Sequence, residues 1–114
     1  MKNDGAQAEH WAAQYLIRQG MKLIAQNYRG RFGEIDLIMQ DGAALVFIEV
    51  RSRRNANFGG AAASIDARKQ QRIIRTAQQY LSSFAHAPPC RFDVVLMDDA
   101  QGRNVQWIRN AFDA

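Results

Sequence analysis

Two apolar runs lie on either side of Asp41-Gly42: Glu34-Ile35-Asp36-Leu37-Ile38-Met39 before it and Ala44-Leu45-Val46-Phe47-Ile48-Glu49-Val50 after it. An Asp-Gly pair between short apolar runs favours a tight type I′ turn, so the segment is predicted to form an antiparallel hairpin. Nothing else in the chain constrains the fold as strongly. With Asp41 and Gly42 as the two turn residues, Glu34 is expected opposite Glu49 and Asp36 opposite Phe47. Side chains alternate along strands, so Glu34, Asp36 and Ile38 then share one sheet face with Leu45, Phe47, Glu49 and Arg51. Asp36 and Glu49 become diagonal neighbours.

The rest of the chain arranges itself around this hairpin. Asp4 is expected to cap a first helix, with Gln7 as its capping-box partner and Gly20 as its stop. Ala8, Trp11, Ala12, Tyr15 and Leu16 form its apolar stripe, with Glu9 on the flank. Met21–Tyr28 reads as a strand, followed by the polar turn Arg29-Gly30-Arg31 and by Phe32-Gly33. The segment 55–60 reads as a loop. A second long helix is predicted from its cap Asp66 to about Phe84, with Ile73, Ile74, Ala77, Tyr80, Leu81 and Phe84 on its apolar side. Arg68, Arg72 and Arg75 lie opposite, and Lys69 lies between the two sides. Pro88-Pro89 forbids continuation, and Phe92–Met97 and Asn104–Arg109 complete the strands. The order α-β-β-β-α-β-β implies an α/β fold with a mixed sheet flanked by helices, in a single domain over 1–114.

Charge narrows the function. From Arg51 to Arg75 seven basic residues face one acid, Asp66, a local net of +6 against +4 for the whole chain. Of the 15 basic residues 12 are arginine, the side chain best suited to bidentate phosphate contact, so a polyanion such as nucleic acid is the expected partner. A hydrophobic fraction of 47% without any run of membrane-span length excludes a helical membrane anchor. With no apolar segment behind a basic start and Cys90 as the lone cysteine, a cytoplasmic location is expected and a cysteine-rich zinc site is excluded.

Three acids on one face of apolar strands repel one another, and a hard divalent cation would compensate them. Solvated carboxylates paired with Arg31, Arg51 or Arg53 are the other reading of the same residues. At these residues the chain resembles a known family. Gly33-Glu34-Ile35-Asp36-Leu37-Ile38, Val46-Phe47-Ile48-Glu49-Val50-Arg51-Ser52-Arg53, Phe58-Gly59, Lys69, Ala77, Tyr80-Leu81 and Arg91-Phe92-Asp93-Val94-Val95 are similar to the YraN-like family of bacterial proteins. That family resembles the PD-(D/E)XK nuclease superfamily, which implies a restriction-endonuclease-like fold. It also resembles the archaeal Holliday junction resolvases, in which a helix glutamate joins the site.

The resemblance implies that Asp36 and Glu49 hold Mg²⁺ or Mn²⁺, that Arg51 stands at the place of the superfamily's lysine, and that Glu9 matches the helix glutamate. Mg²⁺-assisted hydrolysis of branched or flapped DNA follows as the expected activity, with Arg53, Arg54, Arg68, Lys69 and Arg72 on phosphates, and it leaves a homodimer open. A guanidinium is not deprotonated in proteins, so Arg51 can act only as cation and donor. A nuclease fold that binds nucleic acid or protein without cutting is the alternative. Lys69 could bring an ammonium from the second helix, although the sequence does not fix its distance to Glu49.

Other residues are read as structural. His10 and His86 lack a neighbouring nucleophile motif, and His10 is expected at the surface. Cys90, Trp11 and Tyr15 are read as packed side chains, Trp107 as either core or stacking surface, and Asp93 as supporting the site or pairing with an arginine. Gly59-Gly60 lacks the lysine and threonine of a phosphate-binding loop.

Overall fold

The computed structural model describes residues 4–52, 65–99 and 101–114. Within them the elements run α1 (Asp4–Arg18), β1 (Lys22–Arg29), β2 (Glu34–Asp41), β3 (Ala44–Ser52), α2 (Ala67–Leu81), β4 (Cys90–Met97) and β5 (Gln106–Phe112). This is the predicted order. The expected loop at 55–60 lies outside the described residues. The five strands lie in one sheet in the order β1-β2-β3-β4-β5. Only the β3–β4 pair is parallel, and α2 provides the crossover that a parallel pair requires.

The helices cover opposite faces. Ala12, Ala13 and Leu16 of α1 pack with Leu37, Met39, Val46, Ile48, Val95 and Met97. On the other face Ile73, Ile74 and Ala77 of α2 meet Ile38, Leu45, Phe47, Phe92, Val94 and Leu96. Phe47, Phe92 and Phe112 stack in succession on this side, with centroids 5.6 and 5.0 Å apart. Strand β3 is buried from Leu45 to Glu49 because it is central and covered on both faces. No helix among the described residues is long and apolar enough to cross a membrane.

The helix ends follow from their sequences. Asp66 caps α2 by accepting the Lys69 N–H at 2.8 Å. Gly20, at φ +99°, ends α1: its N–H bonds the Ile17 carbonyl, and the Met21 N–H reaches back to Leu16. α2 stops at Leu81, short of the predicted Phe84, which is 39% exposed and leans on Tyr80 with centroids 5.6 Å apart.

The hairpin differs from its expected register. The loop is Gly42-Ala43, and Asp41 pairs with Ala44. Gly42 takes φ +61°, the conformation that suits glycine at the first central position of a tight hairpin turn. The pairing therefore moves by two residues, which preserves which face each side chain occupies. Ile38 faces Phe47 and Leu37 faces Ile48, so one further step brings Asp36 directly opposite Glu49 instead of diagonal to it.

Two packing expectations are corrected, and of the two readings of Asp93 the arginine pairing is the one found. Trp11 is 40% exposed, because α1 turns Ala12 and Ala13 inward and leaves the indole at the surface beside His10 and Gly102. Cys90 is exposed at the start of β4. Asp93 is fully buried on the α1 side of β4, away from Asp36 and Glu49, and pairs with Arg91.

Candidate functional site

The acids converge where β2 and β3 splay apart. The ladder between these strands ends at Leu37 and Ile48, and beyond it the Asp36 side chain replaces a backbone partner, Oδ2 accepting the Val50 N–H at 2.9 Å. On the other flank β1 kinks at Asn27, whose φ of +51° lies in the left-handed region that asparagine tolerates. Gln26 pairs with Leu37 and Tyr28 with Ile35, so Asn27 lies across from Asp36. Its side chain hydrogen-bonds Glu9, which reaches over from α1 to Asp36.

One carboxylate oxygen from each of Glu9, Glu34 and Asp36 lies within 4.8 Å of the others. Glu34 is on the solvent side and contacts Arg29 at 3.6 Å, an exposed pair of small energetic weight. Glu49 is 6% exposed and receives Lys69 Nζ at 2.8 Å, with Arg51 Nη1 further off at 3.9 Å. The Arg51 Nε is buried without a hydrogen-bond partner among the described residues. Gly33, Glu34, Asp36, Glu49, Lys69, Arg72 and Ile73 line an open cleft of about 270 Å³.

The electrostatics follow from crowding acids in a half-buried place. Burial, and then the Glu9 charge, pushes the Asp36 carboxyl up to about 6 against the pull of the Val50 N–H. Burial and the Asp36 charge push Glu49 up to about 7, although Lys69 opposes them. Glu9 is raised as well, by burial first, while its hydrogen bonds to Asp36 and Asn27 act the other way. Asp36 lies within hydrogen-bonding reach of both Glu9 and Glu49, so the acids must share protons or a cation.

A stability profile follows. Asp36 and Glu49 would ionise near 4 in the unfolded chain and near 6 and 7 in the folded one, so between about pH 4 and 7 the folded state binds more protons. Stability contributed by these groups is therefore present at low pH and lost as pH rises through the folded values. Without divalent cations the thermal midpoint should be about 5 °C higher near pH 5 than at pH 8. Asp36→Asn, which keeps an acceptor for the Val50 N–H, should flatten that difference. An equal slope in both proteins would show that the carboxylate cluster is not its origin.

The structure brings together Glu9, Asp36, Glu49, Arg51, Lys69 and Arg72 from the sequence-based set. Lys69 sits on Glu49 and also lines the cleft. Arg68 is exposed in the first turn of α2, on the same side as Arg72 and Arg75. Arg53 and Arg54 lie outside the described residues. Glu34, read as the third acid of that face, stands at the cleft, and Asn27 was missed. Glu34 had a sequence signal in its parity with Asp36, whereas Asn27 reaches the acids only through the β1–β2 register and a left-handed backbone.

The model of "Uncharacterised protein family UPF0102" matches residues 8–97, which include Glu9, Glu34, Asp36 and Glu49. A UPF0102 protein of Methylobacillus flagellatus is 53% identical over 114 residues, covering 100% of both chains. That of Nitrosospira multiformis is 53% identical over 109 residues, covering 96% of this chain and 92% of its own. A more distant relative from Pseudomonas aeruginosa is 48% identical over 118 residues, covering 99% and 94%. Matched from the glutamate of α1 through the acidic strands to the end of β4, and along nearly its whole length by these relatives, the chain belongs to the UPF0102 family.

Proposed function

We propose that this protein is a divalent-cation-dependent nuclease that hydrolyses DNA phosphodiesters, with branched or flapped DNA as its substrate class. The observation that carries this reading is the meeting of Asp36 and Glu49 with Lys69 Nζ at one open cleft, with Glu9 hydrogen-bonded to Asp36. The donors are all carboxylate oxygens, which suits the hard ions Mg²⁺ and Mn²⁺ and not the nitrogen and sulfur preference of zinc. Asp36 and Glu49 would hold the ion, with Glu9 and Glu34 close enough to take part. When bound, such an ion supplies positive charge to the phosphate and lowers the pKa of a coordinated water.

The chain's own residues supply the remaining parts. Lys69 holds its ammonium 2.8 Å from Glu49, beside the cleft, where it can stabilise charge developing on a phosphate oxygen. Arg72, on the cleft wall one turn further along α2, offers a bidentate phosphate contact. Asn27 and the Val50 N–H orient Glu9 and Asp36.

The alternative, a nuclease fold that binds without cutting, draws on Arg51 at the superfamily's lysine position. The place of Lys69 on Glu49 weakens it, because an ammonium reaches the same carboxylate from another element. The deciding experiment is incubation with single-stranded, duplex, flapped and four-way DNA in Mg²⁺ or Mn²⁺. Cleavage of the branched or flapped substrates that stops on chelation is the expected result. Tight binding of every substrate with no cleavage in either ion would overturn the enzyme in favour of the binding module.

A further inference from the structure

Beside the cleft, the turn between β1 and β2 carries an aromatic ring that the carboxylates do not use. Phe32 is 42% exposed, and its ring lies 5.9 Å from the Arg31 guanidinium carbon and 5.7 Å from that of Arg75 on α2. A single exposed apolar side chain is ordinary. One with two guanidinium groups within 6 Å of its ring and held on a hydrogen-bonded turn is less so. The Gly30 N–H donates to the Gly33 carbonyl at 2.8 Å, and the Arg31 N–H donates to Gln79 Oε1 at 2.9 Å. The turn lies so close to α2 that a Cβ at Gly30 would fall 2.5 Å from that Gln79 oxygen.

The ring's position relative to the cleft sets what it can meet. Gly33, the next residue, lines the cleft with Glu34 and Asp36. Along α2, Lys69 touches Glu49, Arg72 lines the cleft and Arg75 reaches Phe32. At about 1.5 Å per residue the run from Lys69 to Arg75 covers about 9 Å, close to three stacked nucleotides at about 3.4 Å each. An aromatic face accepts any nucleobase by stacking, and neighbouring arginines suit the phosphates on either side. A base inside a duplex has no free face to offer, so only an unpaired one fits. An apolar protein partner fits less well, because covering the ring would also desolvate the flanking guanidinium groups.

We infer that Phe32, with Arg31 and Arg75, is a stacking platform for an unpaired nucleobase of a strand whose phosphate occupies the cleft. The inference rests on the nuclease reading for the cleft's occupant. It assigns the preference for flapped or branched DNA to the β1–β2 turn.

The test reads binding rather than cleavage, so the two ideas fail separately. Affinity of the full chain for a single-stranded oligonucleotide and for a blunt duplex of equal length is measured by fluorescence anisotropy, with Ca²⁺ replacing Mg²⁺. Phe32→Ala should weaken single-strand binding by about tenfold and duplex binding by less than about twofold, with the salt dependence unchanged. Phe32→Trp should keep the single-strand affinity and show quenching of indole fluorescence beyond that of the wild type on adding the oligonucleotide. Equal single-strand affinity of Phe32→Ala and wild type would overturn the platform, as would equal losses on both substrates or an unquenched Phe32→Trp. Binding with this pattern in a protein that never cleaves would retain the platform and remove the nuclease. Cleavage by a Phe32→Ala protein of wild-type affinity would do the reverse.

Discussion

Replacing Lys69 by alanine is expected to lower metal-dependent cleavage by about 10²–10³-fold, the usual consequence of removing one fixed donor aimed at developing charge. Arg51→Ala should cost clearly less, because its guanidinium stands 3.9 Å from Glu49 while the Lys69 ammonium stands at 2.8 Å. Lys69→Arg, which keeps the charge without the compact ammonium, should recover part of the loss. Single-turnover cleavage of a flapped substrate, with thermal midpoints recorded alongside, separates chemistry from folding. If Arg51→Ala proved the more damaging change, the lysine role would return to the strand position.

Asp93→Ala is expected to cost about 3 kcal/mol of stability, or a drop of ten degrees or more in the thermal midpoint. The carboxylate is wholly buried and accepts from Arg91 Nε at 3.1 Å, Trp107 Nε1 at 2.9 Å and the Asn110 N–H at 3.1 Å. Its removal leaves three donors facing a void. Arg91 keeps Asp41 at 3.0 Å, so the arginine is not stranded altogether. Asp93→Asn, which retains one acceptor oxygen, should lose less. Because Asp93 lies on the α1 side of β4, cleavage per folded molecule should be unchanged, and thermal denaturation with activity below the transition checks both halves.

The elements and their order were legible because the chain's local signals agree: glycine after α1, aspartate before α2, two prolines before β4, and apolar alternation in the strands. The hairpin register was not, because Asp-Gly points to a turn without deciding which residue takes its first central position. The error was harmless for face assignment, since a slip of two returns each side chain to its own side. It did conceal that Asp36 and Glu49 lie straight across from one another. Trp11 and Cys90 were read as packed because large or soft side chains usually are, but which part of a helical stripe is covered depends on the angle at which the helix docks. Glu9, Asp36 and Glu49 were accessible through a motif resemblance, while the Lys69–Glu49 contact joins residues of different layers and is a tertiary fact. The Asp93 cluster belongs in part to the same class: Arg91 is its neighbour on the same strand, but Trp107 and Asn110 are brought to it by the β4–β5 pairing.

Glu9 comes from the helix on one side of the sheet, and Lys69 from the helix on the other. They meet around Asp36 and Glu49 only at the open end of β2 and β3. During synthesis the acids leave the ribosome before the lysine does, and neither a free hairpin nor a sheet with one layer docked contains the full set. Long-range contacts of this kind form late, after loop closure has been achieved on both faces. On the proposed nuclease reading, an unfinished or half-folded chain lacks part of the site, and competence to cut would coincide with completion of the fold.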